Sequence, residues 1–248
     1  MTVGGGRNIL GGMDSGPRFQ GETSYSPPGE FAPSGLKAVP ASAAALALPR
    51  PEGAGPGLWE VLRARRSRRD YSGAGLSLDE LGALAWAAQG VTATVKGHGL
   101  RAAPSAGALY PLDLYAALPG PKPEAGIWRY QPEGHRLRPV LAGPALAELA
   151  KAALDQPFVA SSAATFVLTA HPERSAWRYE QRSWRYFYLD AGGIGENIQL
   201  AAEALGLGAC AVGAFYDSAV NELLGLDGQT ELAIYLVAVG RRGQSAGG

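Results

Sequence analysis

Apolar residues recur at helical spacing in several stretches of this chain and gather into strand-length runs between them. Pro56 opens the first helical stretch, Gly57 to Arg66, with Leu58, Val61 and Leu62 on one side. Ser77-Leu78-Asp79-Glu80 is a capping box, in which Ser77 and Glu80 satisfy each other's backbone donors. The helix it starts, Leu78 to Gln89, turns Leu81, Leu84, Ala85 and Ala88 inward and stops at Gly90. A turn-rich segment, Ala103 to Pro111, leads into a strand over Leu112–Leu118. Two shorter strands, Ile127–Tyr130 and Arg136–Val140, flank a Pro132-Glu133-Gly134 turn. An amphipathic helix spans Pro144 to Leu154, and Ala164–Thr169 reads as a buried strand.

The longest helical pattern runs from Ala176 to Leu205. Its middle, Gly192-Gly193-Ile194-Gly195, costs roughly 1 kcal/mol per glycine relative to alanine. Close approach of another backbone, as in a helix-on-helix subunit contact, would offset that cost. Ala209–Val212 and Leu232–Val239 follow as strands, with a short helix over Ser218–Leu224 between them. Residues 1–55 show neither period. They are rich in Gly, Pro, Ser and Ala and predict an extended or partly disordered arm ahead of a folded unit at 56–248. Strands separated by helices, with one local hairpin, indicate an α+β or α/β domain.

Composition removes several function classes. Lys+Arg and Asp+Glu both number 22, so no overall basic surface marks a nucleic-acid or membrane partner. Cys210 is the single cysteine, which excludes an intrachain disulfide and a cysteine zinc site. His98, His135 and His171 lack metal-ligand spacing, so no metal is expected. Met1 to Gly6 lacks the layout of a signal peptide, and no uncharged apolar run reaches membrane-span length. These features predict a cytoplasmic protein. Gly4-Gly5-Gly6 and Gly11-Gly12 have neither the strand nor the helix that a dinucleotide motif or P-loop requires, and nucleophile elbows are absent.

Against this neutral background, Arg65-Arg66-Ser67-Arg68-Arg69 packs four guanidiniums and a hydroxyl into one turn. Arginine forks match phosphate oxygens two at a time, so a phosphate would neutralise them well. A solvated helix end remains the rival reading. A second pair, Arg241-Arg242, ends the last strand. Pro104-Ser105-Ala106-Gly107 and Ala211-Val212-Gly213-Ala214-Phe215 are small-residue stretches whose backbone can approach a flat ligand, or else simply loops.

These segments, taken in order, resemble the nitroreductase family of flavoproteins, and within it the SagB-type dehydrogenases. The resemblance covers Arg65-Arg66-Ser67-x-Arg69, Trp86 to Gly90, Pro104 to Pro111, Leu154-Asp155-Gln156 and Trp184-Arg185-Tyr186. It continues through Asp190-Ala191-Gly192, Asn197, Leu205 to Gly208 and Gly213-Ala214-Phe215, and so spans about residues 56–242. It implies an α+β fold with a central, mostly antiparallel sheet flanked by helices, forming an intertwined homodimer with FMN at the interface. Arg65, Arg66 and Ser67 would then contact the FMN phosphate and ribityl chain, with Arg241 or Arg242 closing that site. Arg69 would stabilise charge at the flavin pyrimidine edge, near N1 and O2, and Gln156 would hydrogen-bond the same edge. Pro104, Ser105, Ala106 and Gly107 would line the flavin from the partner subunit, while Gly213 and Ala214 face the ring near N5. Arg68 keeps the plain reading of a solvent-facing charge.

The implied activity is hydride transfer through flavin N5, from NAD(P)H to a nitroaromatic, quinone or similar small acceptor. The alternatives are a SagB-type dehydrogenase oxidising a ring in a modified peptide, with a biosynthetic partner protein, or a non-catalytic flavin-binding subunit. The arm suits docking to a partner and wrapping around the second subunit equally. Two departures stand out. None of Lys37, Lys96, Lys122 or Lys151 precedes a tyrosine, as azoline oxidases would require, and Gly193 stands where many relatives have histidine. Tyr110, Tyr179 and Tyr186 read either as proton donors or, with more weight, as packed aromatics.

Overall fold

The computed structural model describes residues 15–52 and 55–243. The glycine runs at 4–6 and 11–12 and the Met1–Gly6 start lie outside them. No period in the sequence precedes Pro56, yet the structure carries helix α1 (Ser15–Thr23) and short strands β1 (Lys37–Ala38) and β2 (Leu46–Ala47) there. Distant partners make these elements. Gly16 N donates to Gln181 Oε1 at 3.3 Å, and a Cβ on Gly16 would fall 2.0 Å from the Trp184 ring. Phe19 meets Tyr188 edge-on at 6.0 Å. The described part of the arm thus packs on its own chain.

Helix α2 (Leu58–Ala64) is followed by α3 (Leu78–Gln89), whose capping box forms in both directions: Glu80 N donates to Ser77 Oγ at 3.1 Å, and Ser77 N to Glu80 Oε2 at 2.7 Å. Next comes a hairpin that the sequence pattern does not reveal, β3 (Val91–Val95) and β4 (His98–Arg101). Its turn places Lys96 at φ 50° and Gly97 at φ 81°, the paired positive φ of a tight hairpin turn. The main run then follows: β5 (Leu112–Leu118), β6 (Gly126–Gln131), β7 (Arg136–Ala142), α4 (Ala145–Ala152), α5 (Pro157–Ala160) and β8 (Ala164–Ala170).

The single helix read over Ala176–Leu205 is two. Helix α6 (Glu173–Tyr179) ends at Glu180, which takes φ 49°, and α7 (Ser183–Ala204) starts after a single 3₁₀ turn. A positive φ on a residue with a Cβ interrupts any right-handed helix. Beyond it lie β9 (Leu207–Val212), α8 (Asp217–Leu224) and β10 (Leu232–Arg241).

Eight strands make the main sheet, in the order β1-β7-β6-β5-β8-β10-β9 with β2 also on β7. Every pairing in it is antiparallel, which settles the class as α+β rather than α/β. Both faces are covered, so the central strands are apolar on both sides. Leu112, Leu114, Ala116, Phe166 and Leu168 join α3 and α7 on one face. Tyr115, Ala117, Val167, Leu236 and Ala238 join α4, α5 and α8 on the other. Two of the three glycines in α7, Gly192 and Gly193, have nothing within 4 Å of a Cβ, whereas a Cβ on Gly195 would meet the Tyr235 ring at 2.7 Å. For Gly195 the close approach is therefore to β10 of its own chain. No helix among the described residues is long and apolar enough to cross a membrane.

Candidate functional site

Strand β9 ends the sheet, and an edge strand presents unpaired backbone groups. The arginine-rich segment runs beside its start. Ser67 bridges Ala209 in parallel, and Arg68 N donates to Ala209 O at 2.9 Å. Tyr71 fastens the far end, bridging Arg242 and donating its hydroxyl to the carbonyls of Arg68 (2.7 Å) and Ala238 (3.1 Å). A Cβ on Gly240 would fall 2.6 Å from the Tyr71 ring, so glycine is what lets the tyrosine lie there.

The arginines then divide by partner. Arg65 Nε is 3.6 Å from Glu196 Oε1, and Arg66 donates only to the backbone carbonyls of Arg63 (2.9 Å) and Arg65 (2.7 Å). Arg68 is half-exposed, in line with the plain reading of its charge, although one of its nitrogens is covered. Its Nε is enclosed without a hydrogen bond, 3.9 Å from Glu203 Oε2. Arg242 Nη2 lies 2.7 Å from the other oxygen of Glu203 but off the angle of a hydrogen bond, while its Nε donates to Leu207 O at 3.1 Å. Arg241 is bound to Glu80 Oε2 (2.8 Å) and Gly75 O (3.1 Å). Arg241 and Arg242 are thus held by this chain's own acceptors. Arg65 and Arg68 have only loose contacts to Glu196 and Glu203, and Arg66 has backbone partners alone, so Arg65 and Arg66 keep donors that a bound phosphate could take.

Further along β9 three predicted features meet. The Arg69 guanidinium sits 5.7 Å over the Phe158 ring and beside the buried Cys210 thiol. Burial pushes that thiol up, and the Arg69 charge pulls it part of the way back. Gln156 Nε2 donates to Ala153 O (2.8 Å) and Ala214 O (2.9 Å), which joins the α5 start to the exposed Gly213-Ala214 turn. Leu154 and Asp155, just before it, hold φ of 59° and 54°, strain of the kind found where a loop is fixed for a purpose. From Ala209, opposite Ser67, to Ala214 this edge is ~17 Å long.

Pro104–Gly107 lies elsewhere. Leu112 pairs with Ala170, which pairs with Leu232, whereas Ala209 pairs with Val239. Along β10 the level of Leu112 is thus ~23 Å from that of Ala209 and ~13 Å from that of Val212, with β8 and β10 lying between β5 and β9. The turn itself is tightly held. Ser105 Oγ accepts from Tyr110 N (3.0 Å) and Ser105 O from Ala108 N (2.9 Å). Asp190 of α7 faces Ser105 and Ala106; burial pushes its carboxyl up and those two contacts pull it back. Gly107, Ala108 and Tyr110 all take positive φ, and a Cβ on Gly107 would meet the Tyr179 hydroxyl at 2.5 Å. Tyr179 is therefore both packed, edge-on to Tyr186 at 4.8 Å, and in position to present its hydroxyl to this loop. Pro104 is exposed at its start. Helix α7 touches both halves, with Asp190 at this loop and Glu196 and Glu203 at the arginines.

A second charged cluster escaped the sequence reading. Asp113, on apolar β5, accepts two bonds from Arg174 (2.8 and 3.0 Å), a short one from Arg129, and one from His171 Nε2 (2.7 Å). Glu231 accepts from Thr169 (2.6 Å) and Tyr115 (3.0 Å) and lies 3.3 Å from His171. A single acid breaking the run Leu112-Asp113-Leu114 was the available signal. The ligand atoms of Asp113, His171 and Glu231 lie within 4.8 Å of one another, yet cations already hold both acids, so the group is an ion-pair network. Burial pushes the Asp113 carboxyl up, but His171, Arg174 and Arg129 hold it well below the usual range. Burial likewise lowers His171, and its bonds to Asp113 and Glu231 outweigh this and raise it to about 9. A raised imidazole stabilises the fold fully below its unfolded value, roughly 6.5, and loses that contribution as pH climbs through about 9. The melting temperature is expected to fall between those pH values, and His171→Gln should flatten the fall. An equal slope in the variant would remove His171 as its cause.

Comparison with known proteins identifies the family. The model of the nitroreductase family matches residues 62–241. A Methanocaldococcus jannaschii protein, provisionally named a nitroreductase, is 38% identical over 186 residues, 75% of this chain and 91% of its own length. The trifolitoxin-processing protein TfxB of Rhizobium leguminosarum is 34% identical over 150 residues, 58% of this chain and 40% of that protein. Among solved structures, one from Ralstonia eutropha, also provisionally named a nitroreductase, superposes with a TM-score of 0.72 at 28% identity. It covers 86% of this chain and 96% of its own.

Proposed function

The chain belongs to the nitroreductase family, and from that premise we propose that it is an FMN-dependent oxidoreductase passing a hydride from NAD(P)H to a nitroaromatic, quinone or similar small acceptor. The observation that carries this reading is the alignment of Arg65, Arg66, Ser67, Arg69, Gln156 and Gly213-Ala214 along the β9 edge. A phosphate binder at one end, an arginine in the middle and an exposed turn of small residues at the other suit a phosphate-tailed flat ring.

In this reading Arg65, Arg66 and Ser67 hold the phosphate. Arg241 and Arg242 brace the segment through Glu80 and Glu203 instead of touching the ligand. Arg69 sets positive charge at the pyrimidine edge, where the reduced ring carries negative charge, and Gln156 offers its carbonyl oxygen to the same edge. Gly213 and Ala214, lacking bulk, leave room beside the ring. Pro104, Ser105, Ala106 and Gly107 complete the site from a second copy, since in one chain β8 and β10 lie between the strand they lead into and β9. When bound, FMN supplies two-electron hydride transfer, a chemistry this chain's side chains do not perform themselves.

The likeness to a toxin-processing protein favours one further reading, a dehydrogenase acting on a ring in a modified peptide with a partner protein. Anaerobic titration decides between them. The purified protein is expected to be yellow, and NADPH or NADH should bleach its flavin band. A yellow protein that neither nucleotide bleaches would leave the peptide reading. A protein colourless even after incubation with FMN would end both.

A further inference from the structure

On the sheet side away from β9, the β6–β7 hairpin and the β5 start enclose a cavity of about 690 Å³, within the range of small-molecule sites. Five guanidiniums line it, those of Arg101, Arg129, Arg136, Arg138 and Arg174, against the two carboxylates of Asp113 and Glu133. In a chain of zero formal net charge this is a sharp local imbalance. The partners make it sharper. Arg129 and Arg174 share the one carboxylate of Asp113. Behind them His171 and Glu231 offset each other.

Arg101 reaches Glu133 only at 3.4 Å and otherwise bonds Gln89 Oε1 at 2.9 Å. Arg136 and Arg138 have no carboxylate within ion-pair range among the described residues; the nearest acceptor of Arg138 is the Ala41 carbonyl at 3.4 Å. Arg129 and Arg138 are also direct cross-strand partners, a like-charge pairing that costs stability unless an anion lies between. Several arginine forks in one concave wall suit phosphate groups better than a carboxylate, because a phosphate has more oxygens to share among them than the two of a carboxylate. A single monoanion would leave most of the excess charge unmet.

We propose that this cavity binds a small molecule carrying a diphosphate group, with Arg136 and Arg138 as its free clamps and Arg101, Arg129 and Arg174 as its floor. The site does not depend on the flavin reading. It adjoins the Pro104–Pro111 segment through Tyr110, whose ring lies 4.6 Å under the Arg101 guanidinium. A nucleotide diphosphate held here would extend its remainder toward that segment.

Calorimetry with sodium pyrophosphate on the purified full chain, at about 20 mM salt where charge is little screened, tests the proposal. Saturable binding is expected, weakened at least about tenfold by Arg136→Gln with Arg138→Gln, since each removes a charge-assisted bond. Arg18→Gln, a remote exposed arginine, should bind as the parent does. Arg136 is exposed and Arg138 half-buried, and an unchanged circular dichroism spectrum would certify the fold. ADP competing more tightly than pyrophosphate would identify a nucleotide, and equal competition the bare diphosphate group. Absence of saturable binding, equal binding by the double variant, or equal loss in the Arg18 control would overturn the site. Flavin absorbance, read on the same samples, separates the two readings: a colourless protein that binds pyrophosphate sinks the flavin site and leaves this one standing.

Discussion

Replacing Arg65 and Arg66 together with alanine is expected to strip FMN from the protein while leaving its fold intact. Both side chains lie past the end of α2, with one loose contact to Glu196 and otherwise only backbone carbonyls as partners. Surface positions of that kind change stability by about 0.5 kcal/mol or less. In the proposed site each would nevertheless supply a charge-assisted bond to phosphate, worth roughly 1.5–3 kcal/mol, so losing the pair should lower flavin affinity by roughly 10²- to 10⁴-fold. The ratio of flavin to protein absorbance after desalting measures it directly, with fluorescence quenching for the affinity. Arg68→Ala should behave oppositely and keep the flavin, because its Nε is enclosed within the protein. Full occupancy in the double variant would place the phosphate somewhere other than the β9 edge.

Gly107→Ala should reduce turnover by roughly a hundredfold. The position holds φ 60°, which costs a residue with a Cβ about 1–2 kcal/mol. The new methyl would also meet the Tyr179 hydroxyl at 2.5 Å. Tyr179 cannot simply swing away, since it packs against Tyr186 and under the Arg178 guanidinium at 5.5 Å. The Ser105–Tyr110 turn has to move instead, and in the proposed site, where it would line the reacting ring, a shift near 1 Å commonly costs that factor. Tyr179→Phe in the same chain removes the offending oxygen and should recover part of the rate, the φ strain remaining. Steady-state rates with a quinone acceptor provide the comparison. A Gly107→Ala protein at parental rate and melting temperature would show that the turn does not line the site.

Elements whose pattern faces a core were legible from the sequence. The capping box at Ser77, strands β5, β8 and β10, and α8 all bury a regular set of apolar positions. The β3–β4 hairpin was not, because most of its residues face solvent and alternate against nothing. The break at Glu180 was hidden for a different reason. Tyr179-Glu180-Gln181-Arg182 contains neither Gly nor Pro, and the interruption coincides with Gln181 and Trp184 receiving α1, whose Gly16 is 165 positions from Gln181. Helix α1 shares that origin, since its partners rather than its own period hold it. In the site, residue types pointed to phosphate and flat-ring chemistry. What they could not convey was the division of labour among the arginines, because Glu80, Glu196 and Glu203 come from distant helices.

Helix α7 holds more than its own packing. Asp190 meets the Pro104–Gly107 turn at one point, and Glu196 and Glu203, seven positions apart and so on one stripe, meet the arginine segment at others. The rod acts as a ruler with a phase as well as a length. Sequence can vary in either loop separately and the other will not register it. One residue inserted between Asp190 and Glu196 would turn the two sets of acids about 100° against each other. Loop grafts between relatives of this chain should therefore be interchangeable, while grafts that alter the count of residues in this helix should not.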